Sequence, residues 1–242
     1  MTKPMVIGVV GLGAMGLGIA QVYAQAGFMV LATDAQLATR ETAKSRLAET
    51  LAERVTAGKL TSEAREATLS KLSIVDNLQG LKSAGLIIEA IVEEIGSKRK
   101  VFSELEKIVA EDAILASNTS SLSIAAIADG LSSGARLLGL HFFNPVPVMK
   151  LVELVAHAGT DKNALLRARE VTEAAGKTVI AAPDLPGFIV NRSARPFYGE
   201  ALALLEEGRT ADEIDAAVVS AGYRIGPFGL DRKSTRLNSS HG

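Results

Sequence analysis

The sequence predicts an α/β protein with a mostly parallel sheet covered by helices on both faces, followed by a small all-α domain. Short runs rich in Val, Ile and Leu alternate with helical patterns, as in strands joined by helical crossovers. Several runs are apolar at every position, which is typical of a parallel sheet buried on both faces. After a proline-rich segment at 183–187, only helical patterns remain.

Seven apolar runs predict the strands, and segments with helical spacing separate them. Segment 17–26 predicts a helix, and in segment 97–110 the residues Val101, Leu105 and Ile108 share one helical face. The predicted strands are 6–10, 28–33, 86–91, 113–117, 137–141, 151–155 and 178–181.

A domain boundary is predicted at 183–187, because two prolines and a glycine in five residues cannot continue a strand or a helix. We assign residues 1–185 to the α/β domain. Residues 186–230 are assigned to the start of a helical C-terminal domain, which we expect to be incomplete.

The second domain is predicted to begin with two helices. Segment 188–207 has the spacing of one long helix that ends at Gly208. Thr210, followed three residues later by Glu213, predicts a capping box at the start of the next helix.

The last segment, 231–242, differs in composition from the rest of the chain. Residues 232–242 contain one apolar residue and no periodicity, so they cannot join a core. Residues 231–241 also resemble the translation of a common sequencing-adapter read-through. We therefore expect 231–242 to be a non-native tail and exclude it from the fold prediction.

Composition excludes several classes of partner. With 26 Lys and Arg against 27 Asp and Glu, the net charge of −1 is too small to attract nucleic acid or an anionic membrane. The chain has no cysteine and no cluster with metal-ligand spacing, so neither disulfides nor a metal site is predicted. No apolar run reaches the roughly 18–20 residues of a membrane span, and no signal peptide is evident, so we predict a cytoplasmic protein.

A glycine-rich turn follows the first predicted strand and opens a helix. In this context the first glycine permits a tight turn, the second lets the backbone approach a pyrophosphate, and the third lets helix and strand pack closely. The helix N-terminus supplies unpaired N–H groups for the phosphate. The predicted phosphate-binding residues are Gly11, Leu12, Gly13, Ala14, Met15 and Gly16.

Asp34 ends the second predicted strand, about 20 residues beyond the glycines. A carboxylate there can accept hydrogen bonds from the adenosine ribose and repel a 2′-phosphate, which favours NAD over NADP. The sequence thus predicts a Rossmann-type domain with NAD as cofactor. FAD uses the same opening motif, and a structural turn beside a surface aspartate is the other alternative.

His141 ends an apolar run at the predicted carboxyl edge of the sheet, where open α/β folds bind ligands. Glu153 occupies an inward position in another strand, where an uncompensated carboxylate would cost several kcal/mol. A histidine is the natural partner, since the carboxylate would fix the ring tautomer and favour the imidazolium. A salt bridge from Glu153 to Lys150 or an arginine is the alternative.

These residues resemble the L-3-hydroxyacyl-CoA dehydrogenase family, over about residues 6–230. The resemblance implies that His141 is the general base and that Glu153 orients it. The segments that carry the resemblance are 117–122 (SNTSSL), 141–147 (HFFNPVP), 151–153 (LVE) and 186–192 (PGFIVNR).

The resemblance also implies the remaining roles and the reaction. Members interconvert (S)-3-hydroxyacyl-CoA and 3-oxoacyl-CoA with NAD, in fatty acid or butanoate metabolism. Ser120 and Asn191 would hydrogen-bond the reacting oxygen and its surroundings. Residues near the nicotinamide would be Glu93, Lys98, Asn144 and Ser120, and those near the CoA moiety Thr50, Lys59 and Ser120.

The chain departs from the family at its C-terminal end. Family members continue with further helices that carry much of a homodimer contact, so we expect a homodimer for the complete protein. Without those helices we expect a fragment that aggregates or is poorly active, and a stable, fully active dimer of this chain would refute this. The apolar residues left without partners would be Ala201, Leu202, Leu204 and Leu205.

Two alternatives to this function remain open. One is a related sugar-acid dehydrogenase of the gulonate type, and the other is a crystallin-like non-catalytic relative.

Overall fold

The computed structural model of this chain describes residues 5–229, and within them eight strands form one sheet in the order β3-β2-β1-β4-β5-β6-β7-β8. All neighbouring strands are parallel except β6 and β7, which are antiparallel. The prediction of a mostly parallel Rossmann-type sheet is therefore confirmed. The strands are β1 Ile7–Val10, β2 Val30–Thr33, β3 Leu72–Ile74, β4 Leu86–Glu89, β5 Ile114–Ser117, β6 Leu137–Phe142, β7 Leu151–Ala156 and β8 Thr178–Pro183.

Helices connect the strands and complete the described part of the chain. They are α1 Ala14–Gln25, α2 Leu37–Thr56, α3 Ser62–Lys71, α4 Ile95–Leu105, α5 Ile124–Ala128, α6 Lys162–Ala174, α7 Val190–Glu206 and α8 Ala211–Ser220.

The bounds of two helices, α1 and α4, differ from prediction by three residues or more. Helix α1 begins at Ala14 instead of residue 17, because the glycine turn leads into it directly. Helix α4 covers Ile95–Leu105 instead of 97–110: the side chain of Glu94 caps its start by accepting from the N–H groups of Gly96 and Ser97, and turns follow Leu105.

The sheet is covered on both faces, as its sequence pattern predicts. Neighbouring residues of one strand belong to opposite cores: Ile88 faces the core formed with α1, α2 and α6, whereas Ile87 faces the core formed with α4 and α5. Strands β1, β4, β5 and β6 are buried at every position. This double burial explains their continuous apolar runs.

The chain divides into two compact units between Phe188 and Ile189. In the second unit, α8 begins with the capping box formed by Thr210 and Glu213. Ala201 of α7 is buried, whereas Leu202 and Leu204 are exposed. The effect of these exposed side chains on solubility and activity stays a prediction.

The segment predicted to be a non-native tail, 231–242, lies outside the described residues. Within the described part, no helix combines the length and apolar character needed to cross a membrane.

Candidate active site

The glycine turn between β1 and α1 is shaped by close backbone contacts. Gly11 has a φ of +94°, and a Cβ there would lie 2.5 Å from the carbonyl oxygen of Ala90. A Cβ at Gly16 would overlap the carbonyl oxygen of Gly11. At Gly13 a Cβ would meet nothing within 4 Å. Gly11 and Gly16 are thus fixed by packing, whereas Gly13 borders open space that a phosphate can enter.

The different surroundings of Gly16 and Gly13 predict that alanine affects the stability at one position and the NAD affinity at the other. Gly16→Ala should destabilise the protein without cofactor by about 1–3 kcal/mol, since the methyl group cannot be accommodated. Gly13 has a φ of −66°, which alanine adopts readily, so Gly13→Ala should keep the stability and weaken NAD binding roughly tenfold or more. Thermal unfolding and NAD titration measure the two effects. A Gly16→Ala variant as stable as the parent would contradict the packing argument.

Asp34 is joined to the glycine turn. Its Oδ2 accepts a hydrogen bond from the backbone N–H of Leu12 at 2.7 Å, and its Oδ1 accepts one from Gln36 at 2.9 Å. Arg46 approaches the same turn from α2 and donates to the carbonyl oxygen of Leu12 at 3.2 Å. The carboxylate is therefore held beside the start of α1, whose first N–H groups have no capping side chain because Gly13 is the N-cap.

His141 and Glu153 form a buried pair on the two antiparallel strands. They are direct partners in the β6–β7 register, and Nδ1 of the ring lies 2.7 Å from Oε2 of the carboxylate. His141 is 6% exposed and Glu153 is fully buried. The structure thus shows the histidine contact that the sequence favoured over a Lys150 or arginine salt bridge.

Two aromatic rings flank His141. The centroid of its ring lies 4.5 Å from that of Phe143 and 5.7 Å from that of Phe188. Phe188 is itself 2% exposed. The rings limit the access of water to the His141–Glu153 pair, which strengthens its electrostatic interaction.

Glu93 organises the loop that contains Ser120. Its Oε1 accepts hydrogen bonds from the Thr119 hydroxyl at 2.5 Å and from the backbone N–H groups of Ser120 at 2.9 Å and Ser121 at 3.2 Å. The Ser120 hydroxyl lies 3.4 Å from the same oxygen. The structure therefore brings together Glu93 and Ser120, two of the residues selected from the sequence.

Lys98 joins Glu93 to a second carboxylate that the sequence reasoning did not select. Its Nζ lies 2.6 Å from Oε1 of Glu89 and 3.3 Å from Oε2 of Glu93. The Ser117 hydroxyl donates to Oε2 of Glu89 at 2.7 Å, and the N–H of Ile91 donates to Oε1 at 2.7 Å. Glu89 could have been found by the signal that marked Glu153, a carboxylate within an apolar strand.

Glu93 titrates below its ordinary range. Burial acts to raise the pKa of this carboxyl, but the Thr119 hydroxyl, the Lys98 ammonium and the backbone of Ser120 together hold it below its ordinary value. A group with a lowered folded-state pKa stabilises the fold above its unfolded pKa, and this contribution is lost as the pH falls through the folded pKa.

A pH-dependent stability difference is therefore expected between the parent and Glu93→Gln. The parent should be more stable above pH 4.5, and the gap should shrink as the pH falls below 4.5. Thr119→Val, which removes one donor, should show a smaller pH-dependent change. Urea unfolding at a series of pH values measures this, and a gap that does not change with pH would exclude the stabilising role of the charge.

Other predicted residues lie apart from these contacts. Asn144 is exposed and precedes a cis bond to Pro145. Thr50 is exposed on α2, where its hydroxyl donates to the carbonyl of Arg46 in its own helix, and Lys59 is exposed in the turn after α2. In the described part of the chain, neither Thr50 nor Lys59 is hydrogen-bonded to His141.

Two further features of the site concern Asn191 and an asparagine that sequence reasoning missed. Asn191 is the second residue of α7, in the second unit, and its position relative to His141 stays a prediction. Asn118 was not selected, yet its Oδ1 accepts from the N–H of Phe142 at 2.9 Å and so ties the Ser120 loop to β6.

Among the described residues, no group of three His, Cys, Asp or Glu side chains could hold a metal ion.

The fold, the glycine turn and Asp34 define a dinucleotide-binding domain of the dehydrogenase type. The sequence matches the family described as 3-hydroxyacyl-CoA dehydrogenase, NAD binding domain, over residues 6–185, and the 3-hydroxyacyl-CoA dehydrogenase C-terminal domain over residues 187–234. The chain belongs to the 3-hydroxyacyl-CoA dehydrogenases, a family of NAD-dependent enzymes, and its cofactor is NAD.

Individual relatives agree with this family. The chain is 42% identical over 232 residues to the 3-hydroxyadipyl-CoA dehydrogenase of Escherichia coli, covering 95% of this chain but 49% of that protein. It is 40% identical over 228 residues to the 3-hydroxybutyryl-CoA dehydrogenase of Mycobacterium tuberculosis, covering 93% of this chain and 80% of that protein. The chain therefore spans about half of the first relative and four fifths of the second.

Solved structures show the same likeness. The crystal structure of M. tuberculosis FadB2 superposes with a TM-score of 0.89 at 40% identity, covering 93% of this chain and 81% of that one. That of the E. coli 3-hydroxybutyryl-CoA dehydrogenase also gives 0.89, at 42% identity, covering 93% of this chain and 48% of that one.

Proposed function

We propose that this protein interconverts (S)-3-hydroxyacyl-CoA and 3-oxoacyl-CoA by hydride transfer to or from NAD. The buried pair formed by His141 and Glu153 carries the proposal, because it provides an acid/base at the carboxyl end of β6 beside the Ser120 loop. The names of the relatives, which act on 3-hydroxybutyryl-CoA or 3-hydroxyadipyl-CoA, support the substrate class.

His141 would carry the proton of the reaction. Glu153 takes Nδ1, so Nε2 is the ring nitrogen that would accept the proton of the 3-hydroxyl group. The carboxylate stabilises the imidazolium that forms, and in the reverse direction the same nitrogen returns the proton to the oxygen. Bound NAD supplies the nicotinamide ring that exchanges the hydride with C3.

The other residues would position the reactants. Ser120, fixed through its backbone by Glu93, would donate to the oxygen on which charge changes, and Asn191 would do so from α7. Glu93, Lys98 and Asn144 are proposed to surround the nicotinamide. The residues proposed to contact the CoA moiety are Thr50, Lys59 and Ser120.

Glycine and aspartate positions support the way in which NAD is bound. The open space beside Gly13 and the uncapped start of α1 suit a pyrophosphate, and the neighbouring Asp34 suits the ribose hydroxyls. A cytoplasmic location and a homodimer of the complete protein remain predictions from the sequence.

The decisive experiment compares substrates with one protein preparation. NADH oxidation is measured with acetoacetyl-CoA and with free acetoacetate, and NAD reduction with gulonate. Of the three compounds we expect the CoA ester to be turned over fastest, even where the absolute rate is low. Turnover of gulonate alone would favour a sugar-acid dehydrogenase, and NAD binding without turnover of any of them would favour a non-catalytic relative.

A further inference from the structure

A single carboxylate joins the segment before the domain boundary to the first turn of α5. Asp184 Oδ1 accepts a hydrogen bond from the backbone N–H of Ile124 at 2.8 Å. Its Oδ2 accepts from the N–H of Ala125 at 2.8 Å and from the Ser123 hydroxyl at 2.9 Å. About 60 residues of sequence separate these partners, so the contacts hold two distant segments together.

On one side, these bonds fix the chain that follows the Ser120 loop. The hydroxyl of Ser123 accepts from the N–H of Ala126 at 3.2 Å and so completes the cap of α5. Ile124 is fully buried, and its Cδ1 would lie 3.0 Å from a Cβ at Gly139, two residues before His141 on β6. Asp184 is therefore tied to a helix that packs on β6 two residues from His141, on the face to which the His141 side chain points.

On the other side, the bonds fix the approach to Phe188. Two consecutive tight turns cover the segment 183–188: the N–H of Leu185 donates to the carbonyl of Pro183, and that of Phe188 to the carbonyl of Leu185, both at 2.8 Å. Phe188 has a φ of +46°, which is unfavourable for a bulky residue and persists only where the surroundings impose it.

We propose that Asp184 is a positioning residue that holds the Phe188 ring against His141. The two rings are 5.7 Å apart, and Phe188 shares a core cluster with Ile124. Loss of the carboxylate releases the segment 183–188, so the strained Phe188 backbone relaxes and water reaches the His141–Glu153 pair. The catalytic meaning rests on the proposed function, whereas the effect on ring position does not.

Nuclear magnetic resonance of the histidine ring tests the placement directly. The chain has three histidines, so the Cε1–H signal of His141 can be assigned with single substitutions. Neighbouring aromatic rings shift this signal, and Phe188→Leu gives the size and sign of the contribution from Phe188. We expect Asp184→Ala to move the signal in the same direction as Phe188→Leu.

Asp161→Ala is the matched control. Asp161 caps α6 by accepting from the N–H of Ala164 at 3.0 Å, and its own N–H donates to the carbonyl oxygen of Ala135. Ala135 precedes the first residue of β6, whereas His141 lies near the other end of that strand. Both variants lose a capping carboxylate, so both should lower the unfolding temperature. Only Asp184→Ala should move the His141 signal and lower kcat, by roughly tenfold, with the KM for NAD unchanged.

The outcomes separate positioning from capping. If Asp184→Ala changes only the unfolding temperature, as Asp161→Ala does, Asp184 is a helix cap and the proposal is wrong. If the alanine variant does not fold, Asp184→Asn, which keeps the shape but loses an acceptor, must shift the signal in the same direction, and an unmoved signal rejects the proposal. A parent protein that turns over gulonate but no CoA ester would reject the proposed function, while the signal would still decide the position of Phe188.

Discussion

Replacing His141 with glutamine is expected to lower kcat for 3-oxoacyl-CoA reduction by about 10²–10⁴-fold, because it removes the proposed acid/base. Glutamine suits this test, since its amide can donate to Glu153 in place of Nδ1 and so avoids leaving the buried carboxylate unpaired. The variant should keep its fold and its affinity for NAD. Steady-state kinetics with acetoacetyl-CoA and a cofactor titration measure both.

His157→Gln is the control for this substitution. His157 lies in the turn after β7, where its ring contacts the carbonyl of Gly134 at 3.1 Å and the N–H of Gly159 at 3.2 Å. We expect kcat to stay close to that of the parent. A His141→Gln variant with more than about a tenth of the parent kcat would mean that another group transfers the proton.

Replacing Lys98 with methionine is expected to destabilise the protein by about 3–5 kcal/mol, because it leaves the buried carboxylate of Glu89 without its charge partner. Lys98 is 1% exposed and Glu89 fully buried, so water cannot replace the ammonium. Methionine keeps most of the apolar length of the side chain. Urea unfolding of the protein without cofactor gives the change in free energy.

The neighbouring Lys100→Met separates this effect from a general loss of charge on α4. Lys100 is exposed, and its removal should change the stability by no more than about 0.5 kcal/mol. The double variant Glu89→Gln with Lys98→Met should recover part of the loss, since no buried charge remains. Equal effects of Lys98→Met and Lys100→Met would show that the buried pair contributes little.

The sequence was sufficient to predict most strands of the sheet, because buried parallel strands have continuous apolar runs. The three-residue strand Leu72–Ile74 was missed, since it lies at the edge of the sheet and its Ser73 is exposed. The antiparallel direction of β7 could not be predicted either, because an apolar run has the same pattern in both directions.

The candidate site was predictable where a residue type conflicts with its surroundings. Glu153 was selected because a carboxylate within an apolar strand requires a partner. The structure places Nδ1 of His141 2.7 Å from Oε2 of Glu153. Ser120 and Asn191 came only from the resemblance, since a serine in a polar loop and an asparagine on a helix give no local signal. Asp184 was not selected because the sequence of its segment, 183–187, indicated only a domain boundary.

The antiparallel pairing of β6 with β7 has a further consequence for how this site can change. Backbone hydrogen bonds between the strands place Glu153 opposite His141, so the contact does not depend on the loop 143–150 that joins them. A one-residue shift of β7 would turn Glu153 to the other face of the sheet. A loop of altered length leaves the pair intact when the register is kept. The loop 143–150 can therefore vary in length and sequence while the contact between His141 and Glu153 is kept.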